Sequence, residues 1–292
     1  MQAISFYIFY ALNWVITLLP LRILFIFSDL LYLILYHVAG YRKKVVRTNL
    51  RNAFPQKTDK ERLQIEKRFY RHLADMFIET FKFAHMSKKE RLRRCTSENT
   101  ELLRELYKEG KDVVLVLGHY NNWEYLNLLP FFSDHTAISI YKPLKNKYFD
   151  RFILNYRSKY GMVLSPMSLV IKDILTRRKK GEKTMTAFVS DQTPARDDIH
   201  YWTTFLNQDT AVYLGAEKVA TKYNMAVVFL HIQKKKRGYY NIKFDLLFRD
   251  TAGLPEYTVT ETHVRHLEAI INEKPEYWVW SHRRWKHKRN IS

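Results

Sequence analysis

A histidine and a glutamate stand five residues apart in the stretch "VVLVLGHYNNWEYLNLL", residues 113–129. An apolar run typical of a buried strand ends at Gly118, His119 follows directly, and Glu124 lies in a pattern typical of a helix. In the sheets of α/β proteins, functional residues gather at the carboxyl ends of the strands. The position of His119 therefore marks it as a candidate catalytic residue.

Two interpretations of Glu124 are open from the local sequence. If Asn121 caps the following helix, Glu124 is at its third position, where its carboxylate could bond a backbone N–H as in a capping box. Alternatively, the first helical turn folds Glu124 back onto the ring of His119. A carboxylate bonded to one imidazole nitrogen fixes the tautomer and raises the basicity of the other, which gives a general base able to deprotonate an alcohol.

Other common catalytic motifs do not occur in the sequence. There is no G-x-S-x-G nucleophile elbow, so a serine hydrolase of that type is unsupported. There is no H-E-x-x-H and no clustered set of Cys and His, so neither a catalytic metal nor another cofactor is expected. A base without an obvious protein nucleophile favours direct attack by a hydroxyl group of a bound substrate.

The charge balance predicts an anionic partner. The 292 residues include 49 Lys and Arg against 29 Asp and Glu, a formal net charge of +20. Such an excess suits nucleic acid, a membrane surface, or an acidic protein or lipid. Apolar residues make up 47% of the chain, which excludes a disordered protein, and the single cysteine, Cys95, permits no internal disulfide and is interpreted as structural.

Residues 1–40 are predicted to form a membrane anchor. Residues 2–21 carry no charged side chain, and a helix of about 20 such residues can cross a bilayer. The basic stretch 41–51 follows this run, and no basic residue precedes it, which argues against a cleaved signal peptide. By the positive-inside rule, residues 41–292 are then expected to form a cytoplasmic domain.

The geometry of this anchor is open. Pro20 is expected to interrupt a helix, and Arg22 and Asp29 add charges to the apolar run that follows it. One kinked span and a hairpin lying in one leaflet both fit this pattern. A buried core helix is the alternative to a membrane segment.

Short apolar runs alternate with helical patterns along the rest of the chain. The predicted strands are 112–118, 136–141, 161–165, 184–190, 225–232 and 239–248, and the predicted helical regions are 58–93, 121–132, 147–160, 168–178, 211–223 and 258–273. Thr58 and Glu61 are placed as a capping box at the start of the first helical region. Strands separated by helices predict an α/β fold, with a mixed, largely parallel central sheet flanked by helices, joined to the N-terminal anchoring segment.

Several motifs occur in the order found in one enzyme family. The segment "GHYNNWE" resembles the H-x-x-x-x-D/E motif of the glycerolipid and lysophospholipid acyltransferase superfamily. Over about residues 10–288, the chain resembles the lipid A biosynthesis late acyltransferases, which are lauroyl and myristoyl transferases. The shared landmarks are "YRKKVVRTNLRNAFP" (41–55), "YKPLKNKYFDRFILNYRSKYG" (141–161), "VSDQTP" (189–194) and "PEYWVWSHRRWK" (275–286).

This resemblance implies a membrane-bound acyltransferase. The reaction would move a fatty acyl chain from a thioester, either acyl carrier protein or acyl-CoA, to a hydroxyl group of a glycolipid acceptor, a lipid A precursor. The enzyme would lie at the inner membrane, with its catalytic domain in the cytoplasm. His119 would be the catalytic base and Glu124 the partner that orients it.

Four further residues are expected to bind substrate: Asn122, Arg157, Asp191 and Gln192. The resemblance places Arg157 and Asp191 near the catalytic pair, where they would hold substrate or the developing oxyanion. Each of these two residues has a structural alternative. Asp191 could cap the loop before Thr193, and Arg157 could lie on a solvated helix face.

Other functional classes fit parts of the pattern. Basic clusters interleaved with aromatic residues also occur in proteins that bind single-stranded nucleic acid, but the uncharged N-terminal run argues against that class, so no nucleic-acid partner is expected. A membrane scaffold would keep the anchor and would not need His119. Within the superfamily, the alternative acceptors are a glycerolipid, an aminolipid and a phosphoinositol mannoside.

Overall fold

The chain is organised around a sheet of seven strands. The computed structural model of the protein describes residues 2–289. Its strands are β1 (Cys95–Glu98), β2 (Val113–Leu117), β3 (Thr136–Tyr141), β4 (Val163–Pro166), β5 (Thr184–Val189), β6 (Trp202–Phe205), β7 (Gln208–Ala211), β8 (Ala226–Lys236) and β9 (Tyr239–Phe248). The sheet has the order β1-β9-β8-β2-β5-β3-β4, in which only β8 and β9 pair antiparallel, and β6 and β7 form a separate hairpin.

Strand β2 lies in the middle of the sheet and leads directly into the loop of His119. Its five residues, "VVLVL", are each at most 3% exposed. Because both faces of a parallel sheet are covered, its central strands are continuous apolar runs rather than alternating ones. Strand β2 pairs with β5 on one side and β8 on the other, and Leu117 is in register with Val189. The carboxyl ends of β2 and β5 therefore meet at the same edge of the sheet.

Helices flank the sheet. Within the described residues the α-helices are α1 (Gln2–Leu18), α2 (Leu21–Leu33), α3 (Lys43–Ala53), α4 (Asp59–Phe83), α5 (Lys88–Arg94), α6 (Thr100–Lys108), α7 (Lys147–Ser158), α8 (Val170–Lys179), α9 (Gly215–Tyr223) and α10 (Thr258–Glu273). Helix α4 begins at the predicted capping box, where the backbone N–H of Thr58 donates to the carboxylate of Glu61 at 2.7 Å and the Thr58 hydroxyl accepts from the N–H of Glu61 at 3.3 Å.

The predicted α/β fold with a largely parallel sheet is confirmed, and a strand is present at each of the predicted positions. Sequence reasoning missed β1, β6 and β7, because each is only four residues long and mostly polar. The helix predicted over 121–132 is a 3₁₀ helix, Trp123–Phe131, with Pro130 inside it. Proline lacks a backbone N–H, so the helical hydrogen-bond pattern is interrupted at this position.

The N-terminal region forms two helices separated by Pro20, and the second, α2, continues as a π-helical turn to Val38. The stretch Leu21–Val38 is long and apolar enough to cross a membrane, by length and composition only, and 33% of it is buried inside the protein. A core helix of a soluble protein can satisfy the same two criteria, so membrane crossing stays a prediction. The candidate span lies after Pro20, whereas the uncharged run in the sequence is 2–21.

A buried carboxylate joins α2 to the α/β domain. Asp75 on α4 accepts a hydrogen bond from the hydroxyl of Ser28 on α2, with 2.7 Å between Oγ and Oδ1. Its oxygens also lie 2.7 Å from Nη2 of Arg237 and 3.3 Å from Nζ of Lys234, near the turn between β8 and β9. Arg237 additionally contacts Asp29 on α2, at 2.6 Å. The N-terminal helices are therefore held to the domain by charge as well as by apolar packing.

Replacing Asp75 by alanine should destabilise the protein, because it leaves the ammonium group of Lys234, whose side chain is only 10% exposed, without a carboxylate. Breaking a buried ion pair typically costs about 3–5 kcal/mol, and a loss at the lower end of this range is expected in the free energy of unfolding. Chemical unfolding in detergent, followed by circular dichroism, measures the change. The matched control is Glu98→Ala, which removes an exposed pair with Lys235; an equal loss in both variants would contradict the prediction.

Candidate active site

The ring of His119 is held by the carboxylate of Asp191. His119 follows β2 and Asp191 follows β5, so the two residues meet where these neighbouring parallel strands end. Nδ1 of His119 lies 2.6 Å from Oδ1 of Asp191, and the backbone N–H of His119 donates to Oδ2 at 2.7 Å. The carboxylate therefore fixes both the main chain and the ring of the histidine.

The Asp191 carboxylate is buried and remains ionised. Only 5% of the residue is exposed, and the indole N–H of Trp278 donates to Oδ2 at 2.8 Å. Burial raises the pKa of this carboxyl group, but the His119 ring and the hydrogen bonds from His119 and Trp278 outweigh burial, so the pKa lies below its ordinary value. Because an ionised carboxylate only accepts hydrogen bonds, Nδ1 of His119 donates to it, and in the neutral form of the ring Nε2 then has a lone pair available.

The second nitrogen of His119 faces polar and aromatic neighbours. Nε2 of Gln192 lies 3.2 Å from Nε2 of His119, so the amide group donates to the lone pair of the ring. The indole ring of Trp123 meets the imidazole edge to face, with 4.9 Å between the ring centroids. About a fifth of the His119 side chain, 19%, is exposed. A hydroxyl group that replaces the Gln192 amide would therefore meet a nitrogen able to accept its proton.

Glu124 has different partners from those predicted. Its carboxylate accepts hydrogen bonds from the hydroxyl of Tyr156 and from Nε and Nη2 of Arg157, with 3.0 Å to Nε. The prediction that Glu124 folds back onto the ring of His119 is wrong in this structure, where Asp191 occupies that position. The physical reason is geometric, because a planar guanidinium binds a carboxylate through two parallel hydrogen bonds that a single imidazole N–H cannot match.

Arg157 is brought to Glu124 by α7. Burial lowers the pKa of the guanidinium, but the charge of Glu124 and the hydrogen bonds with Glu124 and Tyr156 outweigh burial and raise it above its ordinary value. Arg157 therefore stays charged, and 30% of its side chain is exposed. Its predicted role in binding substrate or an oxyanion stays a prediction.

The two asparagines of the loop are used structurally. Asn122 caps the 3₁₀ helix, since its Oδ1 accepts from the N–H of Glu124 at 3.1 Å, and its Nδ2 donates to Glu79 at 2.6 Å. The sequence predicted Asn121 as the cap and Asn122 as a substrate contact. Both expectations are corrected, because Asn122 is fully buried with both polar groups bonded inside the protein. Asn121 instead has a φ of 55° and donates to the carbonyl of Ile232 at 2.7 Å.

A segment near the C-terminus, residues 275–285, closes the site from the other side. Tyr120, next to the candidate base, forms a β-bridge with Trp278. The hydroxyl of Thr193 donates to the carbonyl of Arg284 at 2.6 Å, so the segment contacts the loops after both β2 and β5. Sequence reasoning treated this segment only as a family landmark and missed the indole that completes the environment of the carboxylate. The W-x-W pattern in this motif was the one signal that pointed to it.

His282, in the same segment, bonds the loop that follows β5. Its Nε2 accepts a hydrogen bond from the backbone N–H of Thr193 at 3.2 Å. Burial lowers the pKa of the His282 ring to about 4, so the ring is neutral near pH 7 and accepts at this nitrogen.

The chemistry available at the site is general base catalysis. Cys95 is buried, and burial raises the pKa of its thiol, so this residue offers no reactive thiolate. Among the residues that the structure describes, no three side chains of His, Cys, Asp or Glu lie together in a way that could hold a metal ion. The arrangement around His119 is suited to taking a proton from a hydroxyl group of a substrate.

A second buried carboxylate, that of Glu79 on α4, lies behind the site. Its Oε2 accepts from Nδ2 of Asn122 at 2.6 Å and from the hydroxyl of Tyr240 at 2.8 Å. Burial raises the pKa of Glu79 to about 7, although the charge of Lys234 and these hydrogen bonds oppose the shift. Glu79 therefore changes its charge near neutral pH, next to the cap of the helix that carries Glu124.

Comparison with known proteins places the chain among acyltransferases. The model of a protein family described as bacterial lipid A biosynthesis acyltransferase matches residues 1–287. A curated relative from Haemophilus influenzae, named lipid A biosynthesis acyltransferase, is 23% identical over 250 residues, which cover 84% of this chain and 76% of that protein. The family match includes both N-terminal helices, the α/β domain and the segment of Trp278.

Gly118→Ala should lower activity strongly. A Cβ atom at Gly118 would lie 2.7 Å from Cδ1 of Leu267 and 3.0 Å from Oδ2 of Asp191, so the Leu267 side chain and the carboxylate have to shift. Misplacement of a catalytic group by about 1 Å can cost about 10²-fold in rate, and a loss of that order is expected in steady-state kinetics. Gly215→Ala is the control, because its Cβ would meet Phe188 at an ordinary 3.8 Å. Full activity of Gly118→Ala would contradict the prediction.

Glu79→Gln should stabilise the protein above neutral pH. The pKa of Glu79 is near 4.5 ordinarily and about 7 in the folded protein, so its contribution to stability is complete below pH 4.5 and is lost as the pH rises through 7. Glutamine keeps an acceptor oxygen for Asn122 and Tyr240 without titrating. Between about pH 5 and pH 8, the free energy of unfolding of the wild type should therefore fall by about 1–3 kcal/mol more than that of the variant. Parallel curves for the two proteins would show that Glu79 does not titrate in this range.

Proposed function

The chain belongs to the family of bacterial lipid A biosynthesis acyltransferases, and we propose that it uses His119 to move a fatty acyl chain from a thioester to a hydroxyl group of a lipid A precursor. Family membership makes it an acyltransferase of lipid A biosynthesis, with a lipid acceptor and an acyl donor. The proposal adds the thioester, carried by acyl carrier protein or coenzyme A, and the catalytic residues. The observation that carries it is the 2.6 Å contact between His119 and Asp191, which leaves Nε2 able to accept a proton.

His119 would activate the acceptor. A sugar hydroxyl is a poor nucleophile at neutral pH, because almost none of it is ionised. Nε2 takes the hydroxyl proton as the oxygen attacks the thioester carbonyl, which typically contributes about 10²–10⁴-fold in rate. The tetrahedral intermediate then expels the thiolate, and the imidazolium returns the proton to the leaving sulfur. Asp191, already ionised, stabilises the imidazolium between these two steps.

In this proposal, the acceptor hydroxyl displaces the amide of Gln192 from the ring of His119. Its amide donates to Nε2 of His119 at 3.2 Å, the position that the acceptor hydroxyl needs. A neutral hydrogen bond contributes only about 0.5–1.5 kcal/mol net, so an incoming hydroxyl can replace it. The displaced amide then remains beside the acceptor, which supports the predicted role of Gln192 in binding substrate.

Arg157 is the candidate contact for the negative charge that develops on the carbonyl oxygen. Glu124 holds its Nε and Nη2, and 30% of the Arg157 side chain is exposed. A preorganised cation near a developing oxyanion stabilises the transition state without reorganising at the moment of reaction. In this proposal Glu124 is a positioning residue for Arg157, and Asp191 takes the role that the sequence assigned to Glu124.

A lipid acceptor requires the enzyme to reach a membrane. Exposed apolar side chains cover α1, with Ile4 66% and Ile8 58% exposed, and Leu21–Val38 follows as the candidate span. The net charge of +20 suits the anionic headgroups of a membrane surface. We therefore propose that residues 1–40 anchor the protein in the inner membrane and that residues 41–292 form the cytoplasmic catalytic domain.

Three substitutions test the assignment of roles. His119→Ala and Asp191→Asn should each lower kcat by about 10²–10⁴-fold while the protein stays folded, because one removes the base and the other the charge that stabilises its imidazolium. Glu124→Gln should act less strongly, because the ring keeps its aspartate and only Arg157 loses a charged partner. Kinetics with an acyl thioester and a purified lipid A precursor, with products identified by mass spectrometry, measure these effects.

The outcomes are separable. Glu98→Gln changes an exposed carboxylate in the same way and should leave activity unchanged. An inactive Glu124→Gln together with a fully active Asp191→Asn would instead assign the role of orienting partner to Glu124. If the wild type adds no acyl group to the precursor under any condition, the proposed function is wrong, and acylation of a glycerolipid in its place would identify the alternative acceptor.

A further inference from the structure

A basic pocket lies beside the candidate active site. It has a volume of about 560 Å³ and is lined by Arg196, Ile199, Trp202 and residues 286–289. Residues 286–289 are "KHKR", which contributes three permanent cations and one histidine. Arg196 is the fourth permanent cation of the pocket. None of these residues takes part in the acyl-transfer steps proposed above.

The cations of this pocket have no counter-charges of their own. Among residues 2–289, no carboxylate forms an ion pair with Arg196 or with the basic residues of 286–289. Asp197 and Asp198, which follow Arg196 in the sequence, do not line the pocket. Like charges around one cavity repel one another, so an anionic ligand relieves this repulsion when it binds.

The pocket is tied closely to the base. Gln192, whose amide touches His119, is only four residues from Arg196, so their Cα atoms lie at most about 14 Å apart. The other wall, residues 286–289, begins two residues after Arg284, whose carbonyl accepts a hydrogen bond from the hydroxyl of Thr193 in the same loop at 2.6 Å. A ligand in the pocket is therefore within reach of a substrate whose hydroxyl group lies at the base.

We propose that this pocket binds a phosphate group on the sugar headgroup of the acceptor. The inference rests on the proposed function, since it assigns the acceptor's polar end to a place next to the reacting hydroxyl. Arginine and lysine match phosphate oxygens in charge and hydrogen bonding. Trp202 and Ile199 add an apolar wall that suits the face of a sugar ring.

The size of the pocket favours a headgroup over a docked protein. The pocket is open to solvent, and its volume of about 560 Å³ lies within the range of about 300–1,000 Å³ that is typical of small-molecule sites. A carrier protein would instead need a broad surface of about 800 Å² on each partner. Binding of an acidic carrier protein at this pocket would therefore overturn the proposal.

Calorimetric titration of the full chain in neutral detergent tests the site without relying on turnover. The protein carries His119→Ala, and the probes are a water-soluble phosphorylated disaccharide, the same disaccharide without phosphate, and inorganic phosphate alone. The pocket variant is Arg196→Gln with Lys288→Gln. Its matched control, Lys179→Gln with Lys180→Gln, removes the same charge at the exposed end of α8, before β5 begins and hence at the opposite edge of the sheet.

The expected result is a preference of about tenfold or more for the phosphorylated disaccharide, lost in the pocket variant and kept in the control. An unchanged preference in the pocket variant would overturn the proposal, and so would inorganic phosphate binding as tightly as the phosphorylated sugar.

In kinetics with His119 restored, the pocket variant should raise the KM for the acceptor. A raised KM for the thioester donor alone would assign the pocket to the donor instead. If the disaccharide binds as expected but the wild type does not acylate a lipid A precursor, the proposed function fails and the phosphate site stands.

Discussion

The carboxylate of Asp191 is removed from water and still carries its charge, because donors from distant parts of the chain surround it. They come from the backbone and ring of His119, 72 positions earlier, and from the indole of Trp278, 87 positions later. Burying an ionised group without such partners costs several kcal/mol, and the group would take up a proton instead. The local geometry of the base therefore depends on tertiary contacts that only the complete fold supplies. Gly118 is part of the same constraint, since a side chain there would meet the carboxylate.

Two buried carboxylates near the loop after β2 are suited to different tasks by their partners. Asp191 bonds an imidazole, a group that can act as a general base. Glu124 bonds the guanidinium of Arg157, which stays protonated throughout. Only the first pair can respond to a proton arriving from a substrate, whereas the second is a fixed arrangement of charge. Proteins assign different acid–base roles to two similar groups by placing them in different environments, as is the case for these two carboxylates.

Much of this arrangement could be predicted from the sequence, and the part that could not has a physical reason. His119 was identifiable because an apolar run without alternation marks the end of a buried parallel strand. The resemblance placed Asp191 near the catalytic pair, but its contact with the ring was not predictable, because Asp191 approaches His119 only if β5 lies beside β2, and no local pattern encodes the order of strands. Glu124 was favoured by its short spacing, yet Arg157, 33 positions away, pairs with it. The helix cap is Asn122 rather than Asn121 for a related reason. The side chain of Asn122 is held in place by its buried hydrogen bond to Glu79 on a distant helix, which no local pattern reveals.

The segment 275–285 has a consequence for the order in which the protein matures. A chain is synthesised from its amino terminus, so the two N-terminal helices leave the ribosome long before Trp278 does. Until that residue emerges, the Asp191 carboxylate lacks one of its donors and Tyr120 lacks its bridge partner. The environment of the candidate base is therefore complete only after Trp278 has been synthesised and has packed against the loops that follow β2 and β5.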